Sequence, residues 1–340
     1  MTPQRLRTIV IGFGKIGAAY AKDPVMARHY PFATHAQVLA AHPDFLWDAV
    51  VDPAEDALAS ARSDWKIPIA VRTFEDLPRG YDPEVAVIAT PPQTRLAVLD
   101  KLPTLRAVLV EKPLGSTHEN SRAFLEDCRR RNILVQVNYW RRADRVFRDL
   151  AAGRLEDMIG PPKSIFGLYG NGLLNNGSHM IDFVRMLFGE IAEVRADGAA
   201  VTAGAAPLPG DVHVPFHLNM KAGLTVSFQP MDFAEFRENG LDIWGKKGRL
   251  SILQEGLGIY LYPKSENRAM SGEREVSSDR PKALESSVGT ALYEMYGNLV
   301  DAVRGTTPLW SPGESALETA RAVQAVLDSA ASGQNAIRFT

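Results

Sequence analysis

The chain has 340 residues, 45% apolar and 23% charged, with a formal net charge of -2 and a pI near 6.4. At roughly 150 residues per domain this length predicts two domains, and the lack of a global basic field argues against a nucleic-acid partner. The single cysteine, Cys128, allows no intramolecular disulfide and no structural zinc site. Apolar runs stay short of the ~18 residues a membrane span needs. A cytoplasmic protein with no membrane partner and no metal is therefore expected.

The segment Arg5–Gly12 places basic residues before apolar ones, as a signal peptide does. Its apolar stretch is too short for one and runs straight into glycines, so it reads as a first strand. Over the first ~140 residues short apolar runs alternate with helical patterns, the mark of βαβ units and a parallel sheet. Candidate strands are Thr8–Ile11, Leu46–Val51, Val85–Ala89, Arg106–Val110 and Leu134–Asn138, with helices over Ala54–Ser63, Gln93–Leu102 and Asn120–Arg131. Right-handed crossovers place Gly12, Asp52, Thr90, Lys112 and Tyr139 on one edge of that sheet, where α/β proteins bind ligands.

Gly12-Phe13-Gly14-Lys15-Ile16-Gly17 follows the first strand and opens a helical pattern, the context that G-x-G-x-x-G requires for a dinucleotide. Gly12 permits the turn, Gly14 lets backbone approach a pyrophosphate, and Gly17 allows close helix–strand packing. Asp52 ends the second strand. Its carboxylate can accept the adenosine ribose hydroxyls and repel a 2′-phosphate, favouring NAD over NADP, or it can serve as a plain helix cap. It stands 35 residues after Gly17, further than the ~20 usual for this motif, and Pro24–Pro43 looks like an insertion. Thr90-Pro91-Pro92 would form a rigid turn beside the nicotinamide ribose. Glu111-Lys112-Pro113 follows a fully apolar strand. There an ammonium can polarise a carbonyl or steer an alkoxide, and the proline restricts Lys112 to extended backbone and permits a cis bond.

Beyond Asn138 the pattern changes. Residues 211–262 alternate with period two around tight turns at 221–223 and 245–248, predicting antiparallel strands whose apolar face needs covering. Residues 264–288 are polar throughout and read as a long loop, and helices over Tyr293–Arg304 and Ser315–Ala331 close the chain. Between these regions, Asn175-Asn176-Gly177-Ser178-His179 precedes an apolar helix, with Ser178 or Asn176 as N-cap. His179 then lies in the first turn, where the positive helix end disfavours imidazolium and suits a general base. Asp182, one turn on, can orient the ring or complement the dipole. Arg141 and Arg142 can clamp an anionic group such as a diphosphate or lie solvated.

Taken together, Gly12–Gly17, Thr90-Pro91-Pro92, Glu111-Lys112-Pro113, Tyr139–Arg142, Gly177–Asp182 and Trp244–Gly248 resemble the glucose–fructose oxidoreductase / inositol dehydrogenase / MocA family over nearly the whole chain. The resemblance implies an α/β fold: an NAD(P)-binding Rossmann domain over residues 1–137, a doubly wound parallel sheet, and an α+β domain over 138–340 with a large open, mostly antiparallel sheet. It also implies redox chemistry at a sugar or polyol carbon, catalytic Lys112 and His179, and a homodimer or homotetramer formed through the sheet. Asn175, Asp182, Tyr139 and Arg141 become candidates for binding substrate. Gly12, Phe13, Gly14, Lys15, Ile16, Gly17, Asp52, Thr90, Pro91, Pro92, Glu111 and Lys112 become candidates for binding NAD, with NADP less favoured. Two residues depart from the pattern: Asn175 stands where many members carry an aspartate, and Arg95 where a histidine often follows the Thr-Pro-Pro turn. A non-catalytic sensor resembling the galactose repressor, or an NAD-dependent redox glycosidase, are the other functions this scaffold allows.

Overall fold

The structure, a computed structural model, describes residues 4–204, 206–277 and 279–339. It divides into two units, Met1–Asp144 with Gly289–Leu317, and Arg145–Val288 with Glu318–Thr340.

In the first unit six parallel strands form one sheet: β1 (Leu6–Ile11), β2 (Phe45–Val51), β3 (Ile69–Val71), β4 (Val85–Ile88), β5 (Ala107–Val110) and β6 (Leu134–Val137). Their order is β3-β2-β1-β4-β5-β6, the doubly wound arrangement with its crossover switch between β1 and β4. Strand residues alternate between two cores. Val10, Val50, Val87 and Leu109 face a cluster completed by α1 (His35–Ala41), α2 (Glu55–Ser63) and α8 (Ala291–Val303). Ile11, Val51, Ile88 and Val110 face another, completed by α3 (Arg95–Lys101), α4 (His118–Arg130) and the start of α9 (Gly313–Ala331). Burial on both faces explains why these strands are continuously apolar in sequence.

The glycine motif does not open the regular helix expected from its sequence. One helical turn begins with Ala18 N–H on Gly14 O, passes into a 3-10 segment (Ala19–Lys22) and leaves the helix axis. The axis resumes at α1, where Thr34 caps Gln37 in a capping box. There His35 N–H meets Ile16 O at 3.1 Å and Ala36 N–H meets Gly17 O at 2.9 Å. In an uninterrupted helix those carbonyls would bond four residues on; here the partner of Ile16 lies nineteen residues on, so fifteen residues have been let into the turn. Without them Asp52 would follow Gly17 by about 20 residues, the usual interval. The insertion is therefore earlier than Pro24–Pro43 suggested, and His35 belongs to the helix that follows it.

In the second unit a ten-stranded sheet runs β16-β15-β14-β13-β7-β12-β11-β8-β18, with β17 also on β15. Its strands are β7 (Pro162–Gly170), β8 (Ile191–Ala196), β11 (Phe216–Met220), β12 (Thr225–Met231), β13 (Gly240–Gly245), β14 (Gly248–Leu253), β15 (Gly258–Glu266), β16 (Arg274–Val276), β17 (Lys282–Leu284) and β18 (Ile337–Arg338). Strands β9 (Val201–Thr202) and β10 (Val212–His213) pair separately. All ladders are antiparallel except β7 on β12. Ile165, Phe216, Leu218, Phe228, Ile243 and Leu250 are buried on one face, with Phe216 and Phe228 stacked at 5.0 Å. Helices α5 (Arg145–Asp149), α6 (Leu155–Ile159) and α7 (Ser178–Phe188) belong to the same unit.

The polar stretch 264–288 is not the long loop expected. β15 runs on to Glu266, and the chain then turns back along it, first as β16 and further on as β17, all at one sheet edge. An edge excursion this short and largely solvent-facing shows no apolar alternation, so its sequence looks like a loop. Replacing Phe228, whose ring lies over the Gly167 backbone, with alanine is expected to cost about 3–5 kcal/mol. A fall in the chemical-denaturation midpoint of the second unit would register it; an unchanged midpoint would show that the sheet core closes over the gap.

Candidate functional site

Parallel strands deliver their carboxyl ends to one edge, and the first unit uses that edge throughout. Gly12 follows β1, Asp52 follows β2, Thr90 comes two residues after β4, Glu111 and Lys112 follow β5, and Tyr139 comes shortly after β6. Gly12 has φ +88°, and a Cβ there would lie 2.9 Å from both Ala89 backbone and Thr90 Cγ2. A Cβ on Gly17 would lie 2.8 Å from Gly12 O. At Gly14 a Cβ would meet nothing within 4 Å. The first and third glycines are thus demanded by close packing, while the second faces open space where a pyrophosphate can approach. Lys15 is exposed and Ile16 half-buried, and the backbone N–H groups of Gly14–Gly17 precede the first i→i−4 bond of the turn.

Asp52 Oδ2 accepts from Phe13 N–H at 2.6 Å and Oδ1 from Ala54 N–H at 2.8 Å, so it pins the glycine turn and the residue just ahead of α2, a helix whose own N-cap, Ala54, has no side-chain cap bond. Each carboxylate oxygen has a second lone pair, which leaves acceptor capacity for ribose hydroxyls. Phe13 is buried with its ring 5.9 Å from that of Trp47. These features fit the adenosine and diphosphate of a dinucleotide.

The Lys112–Pro113 peptide is cis. Beside it, Glu111 Oε1 accepts from Asn138 Nδ2 and lies 3.1 Å from His35 Nε2, while His35 Nδ1 lies 2.8 Å from the Tyr296 hydroxyl. His35 and Tyr296 are fully buried. Burial pushes the Glu111 carboxyl upward, but His35, Asn138 and the Lys112 charge together hold it below the usual carboxylate range. Burial, reinforced by the Glu111 charge, raises the Tyr296 phenol well above its ordinary value. On the other side, Arg95 donates to the carbonyls of Pro113, Leu114 and Thr90, joining the Lys112 turn to Thr90-Pro91-Pro92. Tyr139 is 3% exposed within the hydrophobic cluster, and Arg141, 4% exposed, carries its guanidinium 4.3 Å above the Trp140 ring.

In the second unit Asn175, His179 and Asp182 lie on one continuous helical run. A π-helical turn, Leu173–Gly177, leads without a break into α7. Neither Ser178 nor Asn176 is the N-cap expected from sequence. Ser178 lies inside the run, its Oγ within hydrogen-bond distance of Leu174 O and Asn175 O. The cap comes from a distant loop: Asp211 Oδ1 accepts from Leu174 N–H at 2.9 Å and Oδ2 from Asn175 N–H at 3.0 Å. A Cβ on Gly172 would lie 2.0 Å from that carboxylate, so glycine is required there. His179 thus sits deeper than the first turn, and a buried carboxylate meets the positive helix end that sequence reasoning had assigned to the imidazole. Asp182 Oδ1 accepts from Thr319 Oγ1 at 2.9 Å and lies 3.9 Å from Arg185 Nη1.

Asp211, Arg95 and His35 were not singled out as site residues from sequence. Only Gly172 hinted at the first, and the turn motif at the second. Among the described residues no group of three or more His, Cys, Asp or Glu side chains is placed to hold a metal ion. No helix there is long and apolar enough to cross a membrane. Replacing Asp211 with asparagine keeps one acceptor oxygen, for Leu174 and Val212 N–H, and sets the amide NH2 against Asn175 N–H. It should cost about 1–3 kcal/mol, seen as a lower Tm together with weaker substrate turnover; unchanged values would remove Asp211 as the cap.

Residues 6–139 match an oxidoreductase family described by its NAD-binding Rossmann fold, and residues 151–251 match the C-terminal domain of the same family. The rabbit (Oryctolagus cuniculus) trans-1,2-dihydrobenzene-1,2-diol dehydrogenase is 30% identical over 47% of this chain and 56% of its own length. A levoglucosan dehydrogenase of Pseudarthrobacter phenanthrenivorans is 28% identical over 48% of this chain and 50% of its own. The chain thus spans about half the length of these relatives. In overall fold it is similar to an Agrobacterium radiobacter oxidoreductase solved with NAD+, L-tartaric acid and magnesium (TM-score 0.74, 16% identity, 98% of each chain). It is similar too to the WlbA dehydrogenase of Bordetella pertussis solved with NADH and UDP-GlcNAcA (TM-score 0.73, 17% identity, 99% of each chain). The two matched regions, the doubly wound parallel sheet and the large mixed sheet together make this chain a member of the glucose–fructose oxidoreductase / inositol dehydrogenase / MocA family, with that family's NAD-binding Rossmann domain.

Proposed function

We propose that the protein is an NAD-dependent dehydrogenase acting on a secondary alcohol, or the matching ketone, of a sugar, sugar derivative or cyclitol. The observation that carries this reading is Lys112. It follows β5, two strands from β1 and its glycine turn, on the edge where a dinucleotide would lie. The names of the two dehydrogenase relatives, a dihydrodiol and an anhydro sugar, support a hydroxyl on a ring carbon. Asp52 at the end of β2 supports NAD over NADP, and the lone buried Cys128 suits a reducing, cytoplasmic setting.

NAD, when bound, supplies a hydride acceptor. In this reading His179 takes the hydroxyl proton and Lys112 hydrogen-bonds the same oxygen as negative charge develops on it. Asn175 binds a neighbouring substrate hydroxyl, since an amide can donate and accept but cannot serve as a base. Asp182, through Thr319 and Arg185, fixes the helix that carries His179. Tyr139 and Arg141 border the substrate, Arg141 suited to an anionic group.

The sheet face opposite the buried one supports a homodimer or homotetramer. Phe166 is 42% and Trp244 38% exposed there, and Arg249 lies 4.8 Å from the rings of both Trp244 and Tyr262. Aromatic and arginine side chains together are typical of interface hot spots.

Sugars, cyclitols and nucleotide sugars screened for NADH formation should yield a substrate, and on it Lys112→Met should lower kcat by ~100-fold or more while NAD still binds. Undiminished turnover would remove Lys112 from the mechanism. Phe166→Glu combined with Trp244→Glu should reduce the mass measured by light scattering to that of one chain; an unchanged assembly would exclude this face.

A further inference from the structure

Arg95 is among the largest buried side chains of the described residues, at 2% exposure. It is the first residue of α3, just after the Thr90-Pro91-Pro92 turn. Its Nη1 donates to Pro113 O and, at 2.7 Å, to Leu114 O; its Nη2 donates to Thr90 O at 3.4 Å. Nε is buried with no hydrogen-bond partner in the protein. Desolvation lowers its pKa to about 10, offset in part by the Glu111 carboxylate, so it stays a cation at neutral pH. All three acceptors are backbone carbonyls, drawn from the two turns that follow the neighbouring strands β4 and β5.

Filling this space would not require a charge. Burying a guanidinium without a hydrogen-bonded carboxylate is unfavourable, and an apolar side chain would avoid that penalty. What a planar fork of five N–H donors can do, and an imidazole or ammonium cannot, is span three carbonyls on two segments at fixed separation.

We infer that Arg95 is a positioning residue: it sets the spacing between the Thr90-Pro91-Pro92 turn and the Lys112-Pro113 turn, and so aims Lys112 at the nicotinamide end of the cofactor. The inference rests on the dehydrogenase reading above. It also gives a physical role to the departure at this position, where the family often has histidine.

The test separates the two ends of the cofactor and needs no substrate. Full-length wild type, Arg95→Met and Arg95→Lys are titrated with NADH and with ADP-ribose, which lacks nicotinamide, and their Tm values are recorded. Loss of Arg95 should weaken NADH by about tenfold, a change of ~1.4 kcal/mol, and leave ADP-ribose within about twofold of wild type. Arg95→Lys should show the same split, and serves alone if the methionine variant does not fold. In a Lys112→Met background the effect of Arg95→Lys on NADH should vanish, because the two act through one turn. Parallel weakening of both ligands, tracking Tm, would reduce Arg95 to a structural role and overturn the inference. So would an unchanged NADH affinity, or full additivity with Lys112→Met. If wild type bound neither ligand, the dehydrogenase reading would fall and the inference with it.

Discussion

Glu111 carries a negative charge into a part of the fold where charge is costly, and four segments are arranged around it. β5 presents the carboxylate, α1 brings His35, the residue after β6 brings Asn138, and α8 stands behind His35 with the Tyr296 hydroxyl. A buried carboxylate is tolerated when its lone pairs are met, and an interrupted chain of such bonds is worse than none. This requirement explains why a late segment of the chain belongs to the first unit. Met295 O accepts from Gln136 Nε2, and Ser311 O accepts from Val137 N–H, so 289–317 covers the lateral edge of the sheet at β6, the strand beside the one that Lys112 follows.

The second unit solves a related problem with the opposite charge relation. Its helical run needs its first N–H groups satisfied, and Asp211 does this from a loop remote in sequence. The carboxylate and the helix end largely satisfy one another. The same helical run that carries His179 also carries Asp182 and Arg185, which meet at Thr319.

The strands of the parallel sheet were legible because burial on both faces leaves unbroken apolar runs, and the predicted bounds lie within a residue or two of those observed. β3 was missed: three residues are too few to show a period. The glycine motif and Asp52 were legible as residue types, yet their spacing looked wrong until the bonds from His35 and Ala36 revealed where the extra chain enters. Amphipathic helices announce that they cover something but not what, so the sequence of α8 could not tell which sheet it serves. The roles of Arg95, noticed only as a departure from the family pattern, and of Asp211 were hidden for a shared reason. Each acts on backbone groups distant along the chain, and such partners leave no periodic trace.

The excursion between Ala18 and Thr34 has its two ends held one hydrogen bond apart by the helix it interrupts. Closing a loop whose ends are already fastened costs only ~0.6 kcal/mol for each doubling of length. The junction is therefore a natural place for the polypeptide to gain or lose material, or to accept a grafted reporter. Its length can drift while the glycine turn beside it keeps its shape.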